Sequence, residues 1–306
     1  MPVSRRALLA TAALAPVTLS PCALRAARAD TGLIRRPIPS SGERLPALGI
    51  GTSRRYEVEP TPEAVKPLRE AVETFLRLGG TVIDTAPSYG TAEDVLGLIF
   101  SEGDIRKKVF LATKVDTRGR DETRAEFARS LKRMRTDTID LVAVHNLIDT
   151  KDNLAVLRDL KGEKKIRYVG VTVWRDNQFD GLEPVMRAEP LDFVQVNYAI
   201  DNRAAAERIL PLAAEKGIAV MVNVPFGRDR LFKAVQGKDL PPVAKEIGCT
   251  SWPQFFLKYV LGHRAVTCPI PGMAKASYVE DNLGAAHDPL PDAGQRQQME
   301  AFIDAL

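Results

Sequence analysis

The chain is short of the residues that mark metal centres, disulfide frameworks and membrane spans. Its 306 residues hold three cysteines and three histidines. Cys22 falls in a leader, which leaves Cys249 and Cys268, too few for a disulfide framework. An oxidising compartment would allow those two to pair, yet Cys268 lies in an apolar run, and buried free thiols are the expected state. His263 and His287 have no metal-ligand spacing, so no metal site is expected. Beyond the leader, no stretch approaches the ~18 uncharged apolar residues of a transmembrane helix. No GxGxxG follows any strand-like run, which argues against an open doubly wound dinucleotide fold.

Net charge is also missing once the first residues are set aside. The chain carries 43 Lys and Arg against 39 Asp and Glu; residues 1–29 hold four of the arginines and no acid, so the remainder balances. A neutral mature surface gives no reason to expect a nucleic acid or an anionic membrane as partner. The leader itself has Ser4, Arg5 and Arg6 ahead of a mild apolar stretch from Ala7 to about Leu19, and Ala27, Arg28 and Ala29 form a small-residue cleavage pattern. Paired arginines before such a stretch predict a twin-arginine export signal over residues 1–29, recognised transiently by that machinery, with an ordinary secretory signal as the alternative. LSPC at 19–22 has Pro21 where a lipoprotein site needs a small residue, so no lasting membrane anchor is expected. The expected location is periplasmic or otherwise exported, and the expected state a monomer.

What is present, at 45% apolar and 27% charged, is an ordinary globular composition. Residues 30–306 repeat one theme, a short β-branched run followed by an amphipathic stretch. The runs are 46–52, 81–85, 109–115, 139–146, 167–174, 192–198, 218–224 and 265–270. Helical periodicity is found near 62–78, 92–101, 122–134, 152–164, 176–187, 203–216 and 251–261, with two further helices near 276–285 and 291–304. Apolar strands separated by helices predict a parallel sheet covered on its outside, and eight such units predict an α/β fold of the (β/α)8 TIM-barrel kind. LIRRPIPSSGERLPAL, with turn residues at Ser40, Ser41 and Gly42, predicts an N-terminal β-hairpin lidding the barrel bottom. The segment from Pro225 to about Pro242 reads as a long irregular loop.

In such barrels the site lies at the carboxyl ends of the strands. The runs end on Thr52, Asp84, Lys114, His145, Thr172, Gln195 with Asn197, Asn223, and Pro271 with Gly272. Asp84 and Lys114 are each costly at the rim of an apolar interior and satisfy one another as a pair. Tyr89, five residues after the acid, would then have an ammonium beside it that lowers the phenol pKa from its usual value and makes it a usable acid. His145, from the next strand end, is placed to orient or polarise a carbonyl oxygen. These four suit proton delivery to a carbonyl while hydride reaches its carbon. Taken singly each has a plainer reading: a surface tyrosine, a satisfied core histidine, a structural ion pair.

DTAPSYG, ATKV and VHN, in this order and spacing, resemble the Asp, Tyr, Lys, His tetrad of the aldo-keto reductases. The resemblance extends from GERLPALGIGT through GVT, QVNY and PFG to IPG and DNL, about residues 33–286. It implies a (β/α)8 barrel binding NADPH, with NADH also possible, and a small-molecule carbonyl substrate, an aldehyde or ketone. Asp84, Tyr89, Lys114 and His145 take the tetrad places. Thr52 resembles the nicotinamide-ribose contact, with Asp84 nearby, and Thr172 and Gln195 resemble carboxamide partners. Pro225, Phe226 and Gly227, with Pro271, Gly272 and Met273, resemble pyrophosphate and adenosine contacts, and Asn282 the adenine contact. The departures are Val173, where the family's GVSN has asparagine, and Asn223, where a tyrosine often stacks on the nicotinamide. The basic residue that often holds a 2′-phosphate is replaced by Tyr278 or Gly272, with Lys275 nearby. The alternative they raise is a catalytically weak or silent module that binds or senses the nucleotide. Trp174 and Tyr56 are candidate pocket residues, and Arg54, Arg55, Arg118, Arg120 and Arg175 fall in loops expected on the same face.

Overall fold

The computed structural model describes residues 32–306, so the leader at 1–29 and Cys22 lie outside the described residues. The chain enters through a hairpin, β1 (Arg35–Pro37) and β2 (Arg44–Pro46), paired antiparallel. Eight strands follow: β3 (Gly49–Gly51), β4 (Val82–Asp84), β5 (Phe110–Val115), β6 (Ile139–His145), β7 (Ile166–Thr172), β8 (Phe193–Asn197), β9 (Ala219–Asn223) and β10 (Val266–Pro269). They pair in parallel in sequential order. The sheet curls until Gly51 forms a parallel bridge with Gly272 and donates its N–H to Pro271 O at 2.9 Å. Only glycine fits that seam, because a Cβ on Gly51 would stand 2.5 Å from Ile270 O.

Helices α1 (Pro62–Arg77), α2 (Ala92–Phe100), α3 (Ile105–Lys108), α4 (Arg120–Arg133), α5 (Thr150–Gly162), α6 (Phe179–Ala188) and α7 (Ala204–Lys216) occupy the connections. After β9 come α8 (Arg230–Ala234), α9 (Pro242–Glu246) and α10 (Trp252–Leu261), and after β10 come α11 (Ala276–Gly284) and α12 (Ala293–Asp304). The first helix illustrates why these residues are helical. Thr61 Oγ1 accepts from Ala64 N, Pro62 sits in the first turn, and Val65, Leu68, Ala71, Val72 and Phe75 bury one stripe. The eight-unit barrel with its hairpin and two closing helices is the expected fold, with three local differences. The 46–52 run is not one strand: Pro46 ends β2, and the chain bends at 47–48 before β3 starts. The one-turn helices α3 and α9 were not anticipated. The segment after Pro225 is not wholly irregular, since α8 anchors it through Phe226 and Phe232, whose rings meet each other and Phe256 at 5.0–6.4 Å.

Alternation along the strands sorts the side chains into two cores. One alternating set, with Ile83, Leu111, Val142, Val171 and Val220, faces the helices. Val82, Phe110, Ala112, Leu141, Tyr168, Phe193, Ala219, Met221, Cys268 and Ile270 fill the barrel interior, joined from the hairpin by Ile38 and Leu45. Phe110, Tyr168 and Phe193 form a triangle of rings 5.6–6.0 Å apart at the amino-terminal end. Tyr168 OH donates to Glu43 Oε2 at 2.7 Å, and Ser41 Oγ lies 2.8 Å from the same hydroxyl, tying the hairpin over that end. Cys249 and Cys268 are free and buried, and burial pushes the Cys249 thiol up to about 12.

Candidate active site

The same alternation that fills the interior with apolar groups carries it into a polar layer at the carboxyl ends. Two residues beyond Val82 is Asp84, and two beyond Ala112 is Lys114; both are almost fully buried, at 4% and 1% exposure. Lys114 Nζ donates to both Asp84 oxygens at 2.9 and 2.8 Å and to Thr85 O at 2.7 Å. Gln195 Nε2 donates to Asp84 Oδ1 at 3.1 Å, and Thr172 Oγ1 donates to Gln195 Oε1 at 2.8 Å. The buried charges are thus paired and most of their hydrogen-bonding capacity is used, which is the condition for keeping them out of water. Burial alone would lower the ammonium pKa of Lys114. The Asp84 carboxylate and the Tyr89 phenol outweigh it, so Lys114 is held protonated above its usual range.

Tyr89 lies on the loop after β4. Its ring centroid is 5.1 Å from Lys114 Nζ, and the ammonium acts on the phenol as a charge and as a hydrogen-bond partner. The expected net lowering of the phenol pKa is not what this environment produces. Burial raises it and is the largest influence; Lys114 pulls it back, while Asp84 and Glu57 add to the rise. Lys114 therefore limits a rise rather than creating a fall, and the environment favours the neutral phenol. The loop is pinned from α4 by Arg133, which donates to Pro87 O at 3.2 Å, to Gly90 O, and to Glu93 and Asp94 at 3.2 and 2.9 Å. The two carbonyls flank Tyr89, so a helix residue about forty positions away fixes the phenol.

His145, at the end of β6, stands edge-on to Tyr89 with ring centroids 6.1 Å apart. Its Nδ1 lies 3.2 Å from Asp116 Oδ2 and 3.4 Å from Ser88 Oγ. A cavity of about 440 Å³ opens over these groups, within the size range of ligand clefts. Of the residues singled out from the sequence, Thr52, Asp84, Tyr89, His145, Thr172, Gln195, Asn223, Pro225, Phe226, Pro271 and Gly272 line it. Lys114 lies beneath them, against Asp84 and Tyr89. Gly227, Met273 and Asn282 are buried away from the cavity lining; the Met273 side chain packs in the outer core.

Tyr56 is not a pocket residue. It is fully buried, with its hydroxyl donating to Met273 O at 3.1 Å. Val173 also faces the outer core, and its carbonyl accepts from Asn223 Nδ2 at 2.9 Å. Of the loop arginines, Arg54 and Arg55 line the cavity, whereas Arg120 pairs with Asp159. Trp174 lines the cavity, with the guanidinium groups of Arg175 and Arg228 at 4.2 and 4.8 Å from its ring centroid. Sequence reasoning missed Asp116, Arg133 and Arg228. Asp116 had a usable signal, since it lies two residues past Lys114 and so continues the inward alternation. Arg133 had none.

Residues 47–302 match the sequence profile described as the Aldo/keto reductase family. The chain belongs to that family. The chain is 34% identical over 203 residues to aldo-keto reductase YhdN of Bacillus subtilis (strain 168), an alignment spanning 60% of each chain, less than two thirds of that relative's length. Its barrel superposes on the thermostable aldo-keto reductase Tm1743 in complex with epalrestat, with TM-score 0.73 and 24% identity over 88% of this chain and all of that one. The holo form of AKR11C1 from Bacillus halodurans gives TM-score 0.72 at 22% identity, over 88% of this chain and 96% of that one. An aldo/keto reductase from Klebsiella pneumoniae in complex with NADP and acetate gives 0.71 at 25%, covering 86% and 93%. These likenesses establish the shared (β/α)8 barrel.

Proposed function

We propose that the chain is an NAD(P)H-dependent reductase of small aldehydes or ketones, with Tyr89 as general acid. The observation that carries the reading is the buried Asp84–Lys114 pair beneath a phenol at the floor of an open cavity, with His145 edge-on to the same ring. Family membership supports a nicotinamide cofactor, and the Klebsiella pneumoniae relative is in complex with NADP. The cavity residues fit such a group on their own chemistry. Thr52 Oγ1 and Asn223 Oδ1 are buried at its edge without hydrogen-bond partners, Trp174 and Phe226 offer flat apolar faces, and Arg54, Arg55 and Arg228 offer positive charge. Bound there, the nicotinamide supplies hydride to the carbonyl carbon. Thr52, Thr172, Gln195 and Asn223 would hold and orient it, while Tyr89 would meet the substrate oxygen and give up its proton as negative charge develops. Lys114, kept cationic by Asp84, stabilises the phenolate that remains.

The test is direct. Tryptophan fluorescence titration of the purified protein with NADPH and NADH side by side should give saturable binding of at least one, because Trp174 lines the cavity, and 4-nitrobenzaldehyde should then be reduced. Absence of binding for both nucleotides rejects the reading; binding without turnover moves the protein to the nucleotide-sensing alternative. Residues 1–29 we propose to be an export signal, supported by Arg5, Arg6 and the Ala27–Ala29 pattern. Replacing Arg5 and Arg6 with lysine should hold the full chain in the cytoplasm, and unimpaired export of that variant would reject the twin-arginine route.

A further inference from the structure

A second cavity lies on the Nδ1 side of His145, beneath the Tyr89 loop. It measures about 260 Å³, shares no lining residue with the main cavity, and is lined by Ser88, Asp116, Glu126, Arg129 and Arg133 among others. Asp116 follows β5, and Glu126 comes from α4 to meet it. Asp116 N donates to Glu126 Oε2 at 2.9 Å, Thr117 Oγ1 donates to the same oxygen at 3.4 Å, and the two carboxyl groups are close enough to act on one another's protonation. Asp116 in turn holds His145 Nδ1 at 3.2 Å. Asp116, Glu126 and His145 thus form a chain of three titratable groups leading from the rear cavity to the face of the main one.

The charges around this chain decide its protonation. On α4, Arg129 is paired with Glu122 at 2.8 Å, and Arg133 is taken up by Glu93 and Asp94 of α2 and by the Tyr89 loop. On the strand side Glu126 faces the Asp116 carboxylate, and among the described residues no ion pair joins Glu126 to a cation. Two carboxyl groups in contact cannot both ionise freely. His145 is the largest influence on Asp116, whose carboxyl is pulled down to about 2. Burial is the largest on Glu126, which with the Asp116 charge is pushed up to about 7. The two directions favour Asp116 as the ionised partner and Glu126 as the one that keeps its proton longer.

We propose that Asp116 and Glu126 are positioning residues for His145: ionised Asp116 accepts the Nδ1 proton and leaves Nε2 facing the main cavity, while protonated Glu126 donates to Asp116 and tempers that hold. A neutral imidazole fixed in this way presents a lone pair to the phenol, and only the doubly protonated ring donates to a carbonyl oxygen. As pH rises past the Glu126 transition, a second negative charge arrives behind the ring. His145 is thereby tuned from a side of the barrel that substrate never touches. The kinetic consequence rests on the reductase reading; the protonation pattern does not.

The chain holds three histidines, His145, His263 and His287, so nitrogen-15 labelling of histidine in the full protein resolves each ring. The expected result is that neutral His145 carries its proton on Nδ1, and that its shifts move once more near pH 7 with Glu126. Asp116→Ala should transfer population to the Nε2–H form. Glu126→Gln, a permanent neutral donor, should keep the Nδ1–H form and abolish the step near pH 7, both in the His145 shifts and in the pH profile of turnover. A wild-type ring protonated on Nε2 overturns the proposal, as does a step near pH 7 that survives in Glu126→Gln. Should Asp116→Ala fail to fold, the wild type and Glu126→Gln still decide it. A wild type without reductase turnover would remove the kinetic arm alone and count against the functional reading instead.

Discussion

Tyr89→Phe is expected to lower carbonyl reduction by about 10²–10⁴-fold while nucleotide affinity stays near the wild-type value. The substitution removes one oxygen from a ring whose position is set by other contacts. Arg133 holds the carbonyls on either side of residue 89, and the ring keeps its place over Lys114. Neither the fold nor the Thr52, Gln195 and Asn223 side of the cavity depends on the hydroxyl. The separation between turnover and binding is therefore the signature of a proton donor. Single-turnover reduction by preloaded protein, paired with a fluorescence titration, measures both. A rate within a few-fold of wild type would place the proton source elsewhere.

Asp84→Ala is expected to destabilise the protein by about 3–5 kcal/mol, because it strands a buried ammonium with Thr85 O, the Tyr89 phenol and no carboxylate. Urea denaturation read by circular dichroism measures the loss. The pH dependence of the wild type has a definite sign. Lys114 has its pKa raised in the folded state, so the stabilisation it carries is fully present below the ordinary lysine value, about 10.4, and is lost as pH climbs through the higher folded value. Well below that value the Lys114 ammonium of the wild type contributes no slope. The double variant Asp84→Leu with Lys114→Met should recover much of the stability without recovering turnover, since apolar replacements of a buried pair are well tolerated while a chargeless floor leaves Tyr89 without its cation. Restored stability together with restored catalysis would show that the pair is structural only.

Both experiments draw on features whose legibility in the sequence differed. The barrel was readable because eight β-branched runs alternate with helical stripes, and a period survives in sequence whatever the packing. One-turn helices such as Ile105–Lys108 and Pro242–Glu246 were not, since four or five residues are too few to establish a stripe. The inward positions of Asp84, Lys114, Thr172 and Gln195 followed from strand ends. Tyr56 was misjudged because a loop aromatic gives no sign of its depth; the turn from Thr52, closed by Tyr56 N to Thr52 O at 2.9 Å, swings it into the core. Depth also explains the wrong sign for the Tyr89 phenol, since the sequence names the neighbouring cation but not how much water has been removed. Arg133 acts through the packing of α4 against α2 and the loop before it, a relation between residues about forty apart that no local pattern records.

The hairpin seal closes one end of the barrel with the Phe110, Tyr168 and Phe193 rings and the Glu43 and Ser41 contacts to Tyr168. With the interior packed behind that seal, the amino-terminal end offers no way through, and the cavity at the carboxyl ends of the strands is approached from its own face.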